Sequence, residues 1–106
     1  MSAKHYDLTI RIAGNTEIPC YSAIRAKGYA VSVYGYEDDE FWTWDAEKDN
    51  RLFSATNPVE LLGLISMWEV RGDSWRPKYR NDPIDDCDYD EYNKLLDNAQ
   101  EYPKEE

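Results

Sequence analysis

Residues 57–72 read NPVELLGLISMWEVRG, and no other stretch constrains the fold as strongly, because both ends are marked and the middle is apolar almost all round. Asn57 can accept hydrogen bonds from the orphan N–H groups of a first helical turn. Pro58 suits the first helical position, where a missing donor costs nothing, and Glu60 faces the positive end of the helix dipole. At the far end Arg71 meets the negative end and Gly72 can take the positive φ that closes a helix. Between the caps, Val59, Leu61, Leu62, Leu64, Ile65, Met67, Trp68 and Val70 leave only a narrow polar stripe of Glu60, Gly63 and Ser66, with Glu69 to one side. A surface helix facing a single layer needs an apolar stripe on one side only. This one demands contact on two.

Upstream of that helix the apolar spacing changes from helical to alternating. Tyr6, Leu8, Ile10 and Ile12 alternate with Asp7, Thr9 and Arg11, so Tyr6–Ala13 is expected as a half-buried strand. IPCYSAIRAKG follows, with Pro19 near a helix start, Ile18, Tyr21 and Ile24 at helical spacing and Gly28 as a stop. YAVSVYGYE sets Val31 and Val33 against Tyr34 and Tyr36. FWTWDAEK sets Trp42, Trp44 and Ala46 against Phe41, Thr43 and Asp45. KDNR is a turn with Asp49 and Asn50 at its tip, both tolerant of positive φ, and LFSA is a short last strand. The expected fold is therefore α+β: an antiparallel β-meander of about four strands, in the order β-α-β-β-β-α, with helices on one face.

After Gly72 the periodicity stops. DSWRPKYRNDP reads as a loop, and DDCDYDEYNKLLDNAQEY as a late helix with Tyr89, Tyr92, Leu95, Leu96 and Ala99 on one side. Residues 1–81 are expected to form one α+β domain, with 82–106 an acidic segment packed on it or partly disordered. Packed back, its Tyr and Leu stripe is the expected cover for the second side of helix 57–71. Another copy of the chain, or a different protein, is the alternative cover.

The chain has 106 residues, enough for one core, and 15 aromatics among its 42% hydrophobic residues argue for a folded domain. Its net charge of −10 is uneven. Residues 1–81 hold 12 acids and 10 bases, whereas 82–106 hold 10 acids and 2 bases. Such a block is a solvated tail or a surface that meets a basic partner. No apolar run approaches the roughly 18 residues of a membrane span and the N-terminus lacks a signal-like apolar block, so a soluble, cytoplasmic protein with no membrane partner is expected. Two cysteines make neither a disulfide framework nor a metal quartet.

Candidate chemistry is sparse. Asp86, Asp88 and Asp90 have the spacing that opens a calcium loop, but Glu91 stands where the sharp turn needs Gly and Asp97 where a longer acid is needed. A carboxylate-rich helix start is the simpler reading. His5 lacks a nucleophile or further ligands nearby in sequence, and Glu37 and Glu40 read as a solvated hairpin tip. Strand, loop, Cys20 and helix in that order resemble the opening of a thioredoxin-like fold over the first third of the chain, without a Cys-x-x-Cys pair. Cys20 therefore reads as a small core residue. No catalytic residue, cofactor or metal site is assigned.

Three functions fit this sequence. The favoured one is a small acidic, non-catalytic protein-binding module, in the manner of inhibitors or immunity proteins that mask a basic surface, with Tyr34, Tyr36, Glu37, Asp38, Asp39, Glu40, Trp42 and Trp44 as its candidate contacts. Its partner is another protein, or a second copy in a homodimer. A second is a nucleic-acid-associated regulator using Arg71, Trp75, Arg76, Lys78, Tyr79 and Arg80, a basic and aromatic mixture suited to phosphate contact and base stacking. The overall acidity opposes that second reading. The third is an enzyme of a class that no motif identifies.

Overall fold

A computed structural model describes residues 5–35, 42–77 and 88–99 of the chain. They fall into two compact units, 1–73 and 74–106. The first is a small α+β domain. A single 3₁₀ turn, Gly14–Thr16, leads into helix α1, Glu17–Ala26. Strands β1 (Ala30–Tyr34), β2 (Thr43–Lys48) and β3 (Arg51–Ala55) follow, and then helix α2, Pro58–Arg71. The strands form one antiparallel sheet in the order β1-β2-β3.

The turn between β2 and β3 is the two-residue hairpin that the sequence announces. Asp49 and Asn50 take φ of 51° and 62°, the positive pair that matches the twist of the flanking strands. That turn fixes the register, with Lys48 opposite Arg51 and Ala46 opposite Phe53. Since Val31 also pairs with Ala46, one sheet face carries Val31, Val33, Trp44, Ala46, Phe53 and Ala55.

Both caps of α2 form as its residues dictate. The Asn57 side chain accepts from the Glu60 N–H at 2.9 Å, and its Nδ2 donates back to the Glu60 carboxylate at 3.1 Å. Pro58 opens the helix, and Gly72 closes it at φ 79° with its N–H donated to the Trp68 carbonyl.

Helix α2 packs on two sides within this same unit. Leu61 and Ile65 are fully buried together with Ile24 of α1 and Ala46 of β2, and Tyr29 joins them. Val31, Trp44, Phe53, Ala55 and Leu62 pack around that centre. The sheet thus takes one side of α2 and α1 takes the next. Edge-to-face contacts extend the core on both flanks: Tyr21 of α1 against Trp44, and Phe53 between Tyr29 and Trp68. Leu64 lies at the margin of α2 and Val70 stays exposed.

Two expectations need correction. The Tyr6–Ala13 segment is not a strand: it has no regular structure, and Tyr6, Leu8, Ile10 and Ile12 are 64–81% exposed. Alternation selects a face, but a strand exists only where a neighbouring edge takes its backbone groups. The sheet therefore has three strands among the described residues, not four. The Ile18, Tyr21, Ile24 stripe is buried only at its C-terminal end, since Ile18 lies at the exposed start of α1. α1 packs on the second side of α2.

In the second unit Tyr89–Asp97 forms helix α3, with Asp90 and Glu91 in its first turn. Its Tyr92, Leu95 and Leu96 are exposed.

Candidate functional site

Among the described residues of the first unit, the helices cover one face of the sheet. On the other, alternation brings up Ala30, Ser32 and Tyr34 from β1, Thr43, Asp45 and Glu47 from β2, and Leu52 and Ser54 from β3. All are exposed except Asp45, which is half-buried. Tyr34 and Leu52 keep about three-fifths of their surface in water, at 60% and 62%. At the centre, Ser54 donates its hydroxyl to the Asp45 carboxylate at 2.5 Å across the β2–β3 pair. That bond holds Asp45 in place, and Glu47 stands two residues along on the same strand face. The face is thus flat and largely polar, with two carboxylates between an aromatic ring at one edge strand and a leucine at the other. Such a surface can accept hydrogen bonds from arginine or lysine and lend apolar contact area.

The sequence candidates divide across this frame. Tyr34 lies on the open face. Trp44 does not, because its position in the alternation turns it to the helices, where it is half-buried against Tyr21. Trp42 is about half exposed and packs over Gly35, where an added Cβ would clash with its ring. Tyr36, Glu37, Asp38, Asp39 and Glu40 lie outside the described residues. Sequence reading missed Asp45, Glu47 and Leu52. Their signal was present in the strict alternation of TWDAEK and in the two-residue turn, which together decide which residues of LFSA face outward.

The basic and aromatic candidates are distributed differently. Arg71 is half-buried at the end of α2, in the first unit. In the second, the Arg76 guanidinium lies 5.4 Å from the centre of the Trp75 ring. Lys78, Tyr79 and Arg80 lie outside the described residues.

Cys20 sits half-buried on α1, on the wall of an open cleft of about 520 Å³. Thr9, Ile10 and Arg11 form one side of that cleft, and Pro19, Cys20, Ala23 and Leu62 another. Among the described residues no group of three or more His, Cys, Asp or Glu side chains could hold a metal ion.

The perturbed ionisable groups belong to the scaffold. A hydrogen bond from Arg51, and then one from Trp68, hold the Asp73 carboxyl well below the usual carboxylate range. The Asp73 hydrogen bond raises Arg51 in return. Burial in the core, followed by the nearby Glu69 charge, raises the Tyr29 phenol. None of the three lies on the open sheet face or lines the cleft, so their shifts report packing. No helix among the described residues is long and apolar enough to cross a membrane.

A comparison of the chain with protein-family models, curated proteins and solved structures finds no match, so what its surfaces can do rests on their own chemistry.

Proposed function

We propose that this protein is a small acidic, non-catalytic protein-binding module that masks a basic surface on its partner. The observation that carries this reading is the sheet face turned away from α1 and α2, where Asp45 and Glu47 stand between Tyr34 and Leu52 on a three-stranded platform. A site built on strands presents its groups with little ordering cost on binding, and the Ser54 bond restrains Asp45 further. The net charge of −10 supports electrostatic steering towards a cationic partner, an effect that weakens as salt rises.

The test is a binding panel of strongly basic and strongly acidic soluble proteins, titrated against the full chain and against Asp45→Lys/Glu47→Lys. Both substituted side chains lie outside the apolar core, so circular dichroism should be unchanged. The reading expects salt-sensitive binding confined to basic members and lost in the variant. Equal binding of the variant, or no preference between basic and acidic members, overturns it.

A further inference from the structure

The N-terminal arm, residues 6–13, has the sequence of a strand and the exposure of a segment without one. Its four alternating apolar side chains are 64–81% exposed, and no helix or strand forms over it. The same protein holds an edge with the opposite deficiency. Among the described residues β1 is an outer strand of the sheet, and its residues Ala30, Val31, Ser32, Val33 and Tyr34 include no charge and no proline. Edges exposed to water are normally blunted by such residues, and an unblunted edge is a template for another strand. The other edge, β3, carries Arg51.

We propose that the arm of one copy adds antiparallel to the β1 edge of a second copy, and that the exchange is reciprocal, giving a two-fold symmetric dimer with a four-stranded sheet in each half. The faces match. With Leu8, Ile10 and Ile12 beside Val31 and Val33, the arm extends the helix-covered side of the sheet. Asp7, Thr9 and Arg11 then extend the polar side, next to Ala30, Ser32 and Tyr34. A reciprocal exchange closes on itself and leaves neither arm nor β1 edge open.

Charge sets the direction and the occupant. Within the arm Asp7 and Arg11 are the only charges and cancel, so it is neutral in a chain of net charge −10, with its one cation towards the C-terminal end and its one anion towards the N-terminal end. In the antiparallel direction Arg11 comes beside Ala30 or Ser32, whose partners on β2 are Glu47 and Asp45, and the small side chains between leave it room to reach them. Asp7 then points to the far end of β1, away from Glu47. The arm reaches its own β1 edge through α1, and the strand–helix–strand crossover is the connection that serves parallel pairing. The parallel direction turns Asp7 towards the Glu47 end, and parallel pairing is the weaker ladder. A second copy carries neither restriction. In the described structure the arm lies along α1, where Thr9, Ile10 and Arg11 line the open cleft, so exchange requires it to swing out about the 3₁₀ turn at Gly14–Thr16.

The experiment is sedimentation equilibrium on the full chain with Thr9→Pro, Ile10→Pro, Arg11→Glu and Arg11→Glu/Glu47→Arg, together with half-filtered NMR on a mixture of labelled and unlabelled chains. Backbone N–H groups alternate in direction along a strand, so one of the two proline variants must remove a ladder donor. The proposal expects a dimer for the parent, a monomer for one proline variant, dimerisation weakened on the order of tenfold by Arg11→Glu at its two symmetric contacts, and recovery in the charge-swapped pair. It also expects cross-copy contacts between residues 6–13 and 30–34. A monomeric parent overturns the proposal, as do two proline variants that dimerise like the parent, or arm contacts found only within one chain. All four changes lie outside the Ile24–Leu61–Ile65 core, and unchanged circular dichroism separates loss of pairing from loss of fold.

Discussion

Arg51, at the start of β3, and Asp73, just past the end of α2, are joined by a two-pronged ion pair, Nε to Oδ1 at 2.8 Å and Nη2 to Oδ2 at 2.6 Å. The Trp68 indole N–H donates to the same Oδ1 at 2.8 Å, and the Arg51 guanidinium lies 5.3 Å from the Trp68 ring centre. One side-chain cluster therefore ties the hairpin end of the sheet to the C-terminus of α2. The geometry makes Asp73 an acceptor for three N–H donors from two side chains, which is why its carboxyl is held so low.

A carboxyl whose pKa is lower folded than unfolded adds stability that is present above the unfolded value, about 3.9, and is lost as pH falls towards the folded one. Asp73→Asn removes that contribution while leaving an amide oxygen for Trp68. Urea unfolding followed by tryptophan fluorescence should show the variant less stable than the parent at neutral pH, with the gap narrowing below about pH 3.9 and smaller at about pH 2. A gap that is the same at both pH values would show that the ionised pair contributes nothing.

The core is small, so its centre is sensitive. Leu61→Ala deletes a fully buried side chain at the contact of α2, α1 and the sheet and should cost about 2–5 kcal/mol, against about 0.5–1.5 kcal/mol for Ile24→Val. A domain of this size has little stability to spare, and Leu61→Ala should abolish cooperative urea unfolding at room temperature. Equal losses for the two variants would mean that Leu61 is not central.

Gly35→Ala places a methyl group where the Trp42 ring now lies. Trp42 is half exposed and can swing aside, so the expected loss is below about 1 kcal/mol, with a shift in tryptophan emission as the ring moves into water. An unchanged emission spectrum would contradict the contact.

Asn57→Ala removes the acceptor for the Glu60 N–H and the reciprocal bond from the amide. The cost should be about 0.5–2 kcal/mol. Asn57→Ser, which keeps an acceptor oxygen, should recover most of it, and an equal loss in both would assign the effect to something other than capping.

What could be read from the sequence was local. Asn57, Pro58, Glu60 and Gly72 mark the ends of α2 because each acts on backbone groups within four residues of itself. Asp49 and Asn50 mark the hairpin because positive φ is a property of single residues, and from that turn the alternation of TWDAEK carries the register to the rest of the sheet. The open face was legible by the same route: Trp42 and Trp44 share one side of the strand pattern, and that side meets the helices, which leaves Thr43, Asp45 and Glu47 on the other.

The tertiary structure decided what depends on a partner surface. YDLTIRIA carries a strand pattern as clear as that of β2, yet only β2 lies between two edges that take its backbone bonds. The sequence also set how much apolar surface α2 must cover, while only packing decided that α1 and the sheet would share it around Leu61 and Ile65. Local geometry is written in neighbouring residues, and burial is settled by which distant element arrives.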